Sequence, residues 1–538
     1  MRLAQRAGAS GRPHRGAIGW ALAGCVTAGA AGLAWLALPS LHPSTVTPEP
    51  PSSSSREPPR AAAAGPPAPP VRVCRNAAIL GHGRSSPPKG ATVIPAGNNS
   101  GTAIAHNWTI HPGKTYWFAP GRHTLGTGRY SQIVTANNDT FLGAPGAVLD
   151  GQHSNLYAFT GHAHGVTIRG LTIQNFGARG GSEGQGVVNH DAGANWHIDH
   201  VTVQRSAGAG VLLGPRNVLA YSCLKGNGEY GFQAVGSHIT VDHNEIAGNN
   251  ADHWEILRPG CGCSGGGKFW DVDLATVTSN YVHGNLGPGL WADTNNRGFD
   301  VAHNYFADNQ GEGFIYETSY NLRLSGNTFI RNALVDGPKL TGFPDPAVYI
   351  SESGADNRVP GPYGHTLMIT GNMFINNWSG VVLWEDPDRF CGSPASDSAG
   401  NCTMVDPNVV TAKSCNPANI AKEPYYSDCR WKTQNVLVSG NAFKFDPASI
   451  GPDCVSSKYC GFNGIFSQWA SQPPWSPYQA TVVEGRITFD QNNHFASNAY
   501  TGPWQFMVAD KRNVVNWEAW QETPYRQDPG STMSQGGG

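Results

Sequence analysis

One phrase recurs through the middle of this chain: two apolar residues in alternation, then asparagine, any residue, and a large apolar residue. It reads ITVDHNEI at 239–246, ATVTSNYV at 275–282, FDVAHNYF at 299–306, LRLSGNTF at 322–329, LMITGNMF at 367–374 and VLVSGNAF at 436–443. Looser copies stand at 196–203 and 217–224, and uninterrupted copies are spaced by 21 to 24 residues. A period in the low twenties, with apolar residues alternating as in strands, predicts a solenoid of short stacked strands. One coil cannot cover its own apolar face, so stacking must bury a continuous core. A leucine-rich α/β solenoid would need helices between the strands, and the Gly/Asn-rich connections leave no room for them. An all-β parallel β-helix is therefore expected. The column Asn244, Asn280, Asn304, Asn327, Asn372 and Asn441 reads as scaffold, its amides bonding backbone groups and one another at a tight bend. His200, His243 and His303, beside that column, read as stacked surface residues.

The two ends differ from this middle. Gly16 to Leu38 carries no charge and follows Arg2, Arg6, Arg12 and Arg15. Its length spans a bilayer, and the basic flank in 1–15 favours a cytoplasmic N-terminus. The segment 16–38 is thus expected to be a transmembrane anchor, with a signal peptide as the competing reading. Either exports the remainder, with membrane contact through this helix only. Residues 39–95, rich in Pro, Ser and Ala at their start, read as a linker. The solenoid is expected over 96–500, a C-terminal cap over 501–526 and a disordered tail over 527–538.

With 68 glycines and only 14% charged residues, at a formal net charge of −2, nothing suggests a nucleic-acid surface. Of eleven cysteines, Cys25 lies in the hydrophobic run. Close spacing suggests the disulfides Cys391 with Cys402, Cys415 with Cys429 and Cys454 with Cys460. The pairing of Cys74, Cys223, Cys261 and Cys263 is open. Cys261 and Cys263 lack the companion spacing of a zinc site, so no metal ligands are assigned.

The segments GKTYWFAPGRHTL (113–125) and ANNDTFLGAPGAVLDGQ (136–152) resemble the N-terminal coil of secreted bacterial right-handed parallel β-helix proteins of the pectin-lyase-like superfamily. GGGKFW (265–270), NLGPGLWADTNN (285–296) and GFIYETSYNLRLSGNTF (313–329) resemble the central coils of one branch, and VVNWEAWQETPYRQD (514–528) its closing helix-and-turn segment. The resemblance implies a right-handed parallel β-helix with a short C-terminal capping helix, and an exported, carbohydrate-active role. It does not imply one reaction, because the superfamily includes lyases, hydrolases and epimerases. The polygalacturonase signatures are missing: Gly81-His82-Gly83 precedes the coils. WHIDH at 196–200 is similar to a pectate lyase segment, without the arginine motif that completes it. The epimerase Asp-Pro-His motif is absent.

A candidate site comes instead from the coil count. GLWADT and GFIYET each end in an acid and a threonine, and Asp293 and Glu317 each follow their coil's asparagine by 13 residues. They should occupy one column on adjacent coils, about 4.8 Å apart, with Leu290, Ala292, Phe314 and Tyr316 pointing inward. Placing HWEIL, AVYISES and GVVLWED on the same strand adds Glu255, Trp291, Tyr349 and Ser351 to the outer surface, with Glu352 beyond them as a further substrate-binding candidate. A one-residue slip leaves either Trp384 or Glu385 facing out. Aromatics between carboxylates suggest a sugar-binding strip, walled by insertions at 257–270 and 386–432. Two like charges at coil spacing favour a proton on one of them, the arrangement that glycoside hydrolysis needs.

The first expectation is therefore a polysaccharide hydrolase with Asp293 and Glu317 as catalytic carboxylates. A second is β-elimination on a uronate polymer with Lys268 as base, Arg258 and Arg297 supplying charge. A third is a non-catalytic glycan-binding surface module. No cofactor is required by the hydrolytic reading; Ca²⁺ bound to stacked acids, or to Asp271 and Asp273, is the structural alternative. The partner is expected to be a polysaccharide, and the chain a monomer.

Overall fold

In a computed structural model, the repeat phrases wind into coils of three short strands. The structure describes residues 67–535, apart from 82, 102–103, 105–110, 178–185, 259–264, 341, 360, 387–407, 412, 430–431, 468–484 and 511. The expected anchor at 16–38, Cys261, Cys263, Cys391 and Cys402 lie outside the described residues. Among those described, no helix is long and apolar enough to cross a membrane.

One coil shows the plan. Leu290–Asp293 lies on a first face (A), Arg297–Ala302 on a second (B) and Tyr305–Ala307 on a third (C). The next coil repeats it with Phe314–Glu317, Tyr320–Ser325 and Thr328–Ile330, each paired in parallel with the strand before. Face C is a 14-stranded sheet, and faces A and B together form one of 21 strands. They merge because Phe232–Asp242 and Gly267–Thr278 run from A to B without a break. Alternating apolar residues fill the interior. On face C, Phe306, Phe329, Phe374, Phe443 and Tyr500 form one column of stacked rings with centroids 4.6 to 5.1 Å apart.

Two corners carry asparagine ladders. In the expected one, between faces B and C, the Asn280 Nδ2 donates to Asn304 Oδ1 at 2.9 Å and to the Val241 carbonyl at 2.8 Å. The same oxygen accepts the Asn280 backbone N–H. A second ladder follows five residues later, at the corner between C and A: Asn249, Asn285, Asn309, Asn332 and Asn377 bond in the same way. Asn-x4-Asn, from Asn244 and Asn249 through Asn372 and Asn377, carried that signal, and the sequence reading missed it. At the corner beside the first ladder, His200 and His243 stack on either side of Tyr221, as surface residues in one column.

Both boundaries of the body need correction. Residues from 67 onward already belong to it: Cys74 is bonded to Cys223, and Glu245 accepts the backbone N–H groups of Val73 and Cys74 at 2.7 and 2.8 Å. At the other end, 527–538 is no disordered tail over its described part. Asp528 is buried beneath the helix Trp517–Gln521, accepting from Trp520 Nε1 and Tyr500 Oη, and Thr532–Ser534 adds a last strand to face C. The disulfides Cys415–Cys429 and Cys454–Cys460 are formed as expected. Three crosslinks in one chain fit an oxidising, extracytoplasmic compartment.

Candidate functional site

Face A positions the site. Its outer column runs Gln233, Lys268, Trp291, Ile315, Tyr349 and Val382, one residue per coil. Two residues on, the parallel column runs Trp270, Asp293, Glu317, Ser351 and Trp384. The inward partners are Leu290, Ala292, Phe314, Tyr316, Val348 and Ile350, as expected from alternation. Glycine opens these strands for a steric reason: a Cβ on Gly289 would stand 2.4 Å from the Gly313 carbonyl oxygen of the next coil. The threonine that closes them has a left-handed backbone, with φ of 39° at Thr294 and 41° at Thr318, which turns the chain onto face B.

The structure brings Asp293, Glu317, Lys268 and Trp291 together. Lys268 Nζ lies 2.9 Å from Asp293 Oδ2 and 4.0 Å from the Trp291 ring centroid. Thr294 Oγ1 donates to the other Asp293 oxygen at 2.8 Å. Trp291 Nε1 donates to Glu317 Oε2 at 2.9 Å. Asp293 and Glu317 are both buried, as are Trp291 and Tyr349. Lys268 is thus no loop lysine: it lies on a face A strand, and its side chain is 12% exposed. A buried ammonium–carboxylate pair persists only with further hydrogen bonds to its polar atoms, and Thr294 supplies one.

Other expected members of the strip are placed elsewhere. HWEIL is not a face A strand: Trp254–Leu257 is a short helix, Ile256 is exposed, and Glu255 accepts from Asn250 Nδ2. The face A register of that coil belongs to 267–270, inside what the sequence suggested was a wall. Glu352 and Glu385 stand one residue past the outer column. With φ of 43°, Glu352 follows the corner, where it accepts the Asp386 N–H at 2.9 Å and the Ser351 hydroxyl. Glu385 is fully buried, accepting from Thr433 N at 2.9 Å and Gln491 Nε2 at 2.6 Å. Neither lines the outer strip, and the slip between Trp384 and Glu385 resolves in favour of Trp384, which is half-buried.

The aromatics differ from the expected open platform. Tyr349 and Val382 join Phe343, Phe462 and Met507 in a second apolar cluster on the outer side of face A. The Phe343 and Tyr349 rings meet edge-on at 5.3 Å. The insertion carrying Phe343 therefore covers the strip beyond Ile315. Arg297 and Arg258 do not reinforce Lys268 in the expected way. Arg297 forms a two-pronged pair with Asp273 at 2.6 and 2.8 Å on face B, and Arg258 lies over Trp254.

Three acids that the sequence reading passed over border the cluster. Glu229 is wholly buried, one of its oxygens meets no donor, and burial pushes its carboxyl up to about 8 against the pull of Lys268 and Arg258. Glu312 is pushed up to about 7, first by burial, with the charges of Asp336 and Glu317 adding. Asp345 is held well above the usual carboxylate range by burial and by Glu312. All three sit in the connections entering face A strands, where no repeat phrase marks them. Burial of an unpaired carboxylate costs so much that such groups keep their protons. Among the described residues, no group of three or more His, Cys, Asp or Glu side chains has a metal-holding arrangement.

Residues 185–361 match the family model for a right handed beta helix region. No curated protein sequence matches the chain. Among solved structures, the A-module of the Azotobacter vinelandii mannuronan C-5 epimerase AlgE6 is 14% identical over 56% of this chain and 82% of its own, with a TM-score of 0.39. The Agl-KA catalytic domain is 11% identical over 84% and 69%, with a TM-score of 0.45. The catalytic domain of a GH87 alpha-1,3-glucanase in complex with nigerose is 11% identical over 85% and 70%, with a TM-score of 0.35. The expected right-handed parallel β-helix architecture holds.

Proposed function

We propose that this right-handed β-helix protein acts outside the cytoplasm on a polysaccharide, hydrolysing it with Asp293 and Glu317 on face A. The observation that carries the reading is the contrast between the two acids. Asp293 is in direct contact with the Lys268 ammonium, at 2.9 Å. Glu317 accepts an indole N–H and lies near a second carboxyl, Glu312. One carboxyl against an ammonium and a second with a carboxyl neighbour is the division of labour that glycosidic cleavage requires, with Asp293 as nucleophile or base and Glu317 as acid. The Trp291 indole N–H holds the Glu317 carboxyl in place, and Lys268 holds that of Asp293.

The geometry weighs against Lys268 as the base of a lyase. Its amine is engaged by Asp293 at 2.9 Å and by the face of Trp291, not turned toward an open substrate position. Burial of Trp291 and Tyr349 likewise weighs against a passive stacking surface. The test is a panel of cell-wall and environmental polysaccharides offered to the exported part of the chain, with reducing ends and unsaturated products read in parallel. New reducing ends that vanish in Asp293→Asn and Glu317→Gln support hydrolysis. An ultraviolet-absorbing product would replace it with elimination, and binding without turnover would remove both.

A further inference from the structure

We propose that Glu312 and Asp345 form a proton-sharing carboxyl pair that positions the charge around Glu317 and so sets the pH range of the site. This rests on the reading of Glu317 as the acid. The argument begins with burial. Asp345 is 1% exposed and Glu312 7% exposed, and both oxygens of Asp345 are fully enclosed without a protein donor. The group that faces them is the Glu312 carboxyl. Two carboxylates cannot face each other in an apolar enclosure unless one of them carries a proton, which then bridges the pair.

The surroundings leave that proton no substitute. The charged groups acting on the pair are Asp336 and Glu317. Asp336 is itself engaged by Lys339 at 2.9 Å, so that ammonium is already committed. Lys268, a further cation of the cluster, is bonded to Asp293. Both members reach face A from the connections that enter its strands, Glu312 just ahead of Phe314 and Asp345 just ahead of Val348. Asp345 arrives on the insertion that also carries Phe343, so the cover over the outer strip delivers the second half of the pair.

The consequence has a definite sign. The pair titrates as a unit, and its first ionisation belongs to both groups. Burial, with the charges of Asp336 and Glu317 adding, moves that ionisation to about 7 for Glu312, against the hydrogen bond it shares with Asp345. Above it the pair carries one negative charge beside Glu317, which strengthens Glu317's hold on its proton just where an acid catalyst would otherwise lose it. The pair is a positioning element, acting through Glu317 and not on substrate.

Two measurements test this on the full chain. Difference infrared spectra across neutral pH should show a carboxylic C=O band that disappears as pH rises, and Glu312→Gln/Asp345→Asn should abolish it. In the hydrolysis assay, the same double variant should move the alkaline limb of the pH–rate profile down by roughly one pH unit, from loss of one nearby charge. A band that persists in the double variant overturns the pair. An unmoved alkaline limb overturns its action on Glu317. If no polysaccharide is cleaved, the hydrolytic reading fails while the infrared result still decides the pair. If the double variant does not fold, the wild-type band decides: its absence between pH 6 and 8 in a Glu229→Gln background, which silences the other buried acid, sinks the proposal.

Discussion

The asparagine ladders and the face A cluster are both buried polar structure, and they are built on opposite rules. Every ladder amide has work for all its atoms: Asn304 gives Nδ2 to Val277 O and Asn327 Oδ1, and its oxygen takes both N–H groups offered by Asn280. On face A, by contrast, Glu229 and Asp345 keep oxygens without donors. Native interiors rarely leave such groups unpaired, because each costs on the order of 1–3 kcal/mol. The ladder polar groups lower the free energy of the fold. The face A acids raise it, and retain protons that an ionised, saturated carboxylate would have lost. The ladders tie coil to coil, while the unsaturated acids Glu229 and Asp345 lie in the connections that enter face A.

Mutations that exchange the two behaviours break or sharpen this contrast. The largest effect is expected at the site: Asp293→Asn or Glu317→Gln should lower turnover by on the order of 10²–10⁴-fold. The far-ultraviolet spectrum should stay that of the parent, since each amide keeps the volume. A ladder variant should do the reverse. Asn304→Ala removes the donors and acceptor of one rung and leaves Val277 O and the Asn280 N–H buried without partners. A loss of about 2–4 kcal/mol, read from the denaturation midpoint, is expected. Full activity per folded molecule should remain.

Glu229→Gln tests under-saturation through pH. The folded-state value of about 8 lies above the ordinary 4.5, so the native state binds a proton that the unfolded chain releases between those values. Wild-type stability must then fall as pH rises from about 4.5 to 8, by at most roughly 3–5 kcal/mol, and the part due to Glu229 should vanish in the variant. Melting temperatures between pH 5 and 9 give the slope; parallel curves for both proteins would contradict the burial argument. The smallest effect is expected for Trp291→Phe. It keeps most of the packing and removes one N–H donor from Glu317, so turnover should drop by roughly tenfold, the value of one hydrogen bond to a charged group.

Much of this site was legible beforehand, and the failures have physical causes. The offset of 13 residues from Asn280 to Asp293 and from Asn304 to Glu317 placed both acids on neighbouring coils because both strands belong to uninterrupted repeats. HWEIL deceived because it alternates like a strand, yet it sits in an insertion after Asn250 and closes into one helical turn. Alternation in AVYISES placed Tyr349 and Ser351 outside, but counting Glu352 beyond them as part of the strip went one residue too far, and GVVLWED left Trp384 and Glu385 undecided. The outer column ends at Ser351 and Trp384, and the next residue belongs to the corner that buries Glu352 and Glu385. The segments before residue 95 and after 527 looked like linker and tail because polar composition was weighed without the partners that hold them, Cys223, Glu245 and Asn498 among them.

The sequence by itself determined the coil: its length, its inward apolar residues, one asparagine ladder and the adjacency of Asp293 and Glu317. These follow from periodicity, because neighbours in a solenoid are residues one repeat apart. Only the tertiary structure decided which groups surround those acids. Lys268 meets Asp293 because the chain rejoins face A at 267 after an insertion, and Asp345 meets Glu312 because a second insertion folds back over the strip. Insertions follow no period, so the contacts they make, and the proton affinities those contacts create, exist only once the coils are stacked.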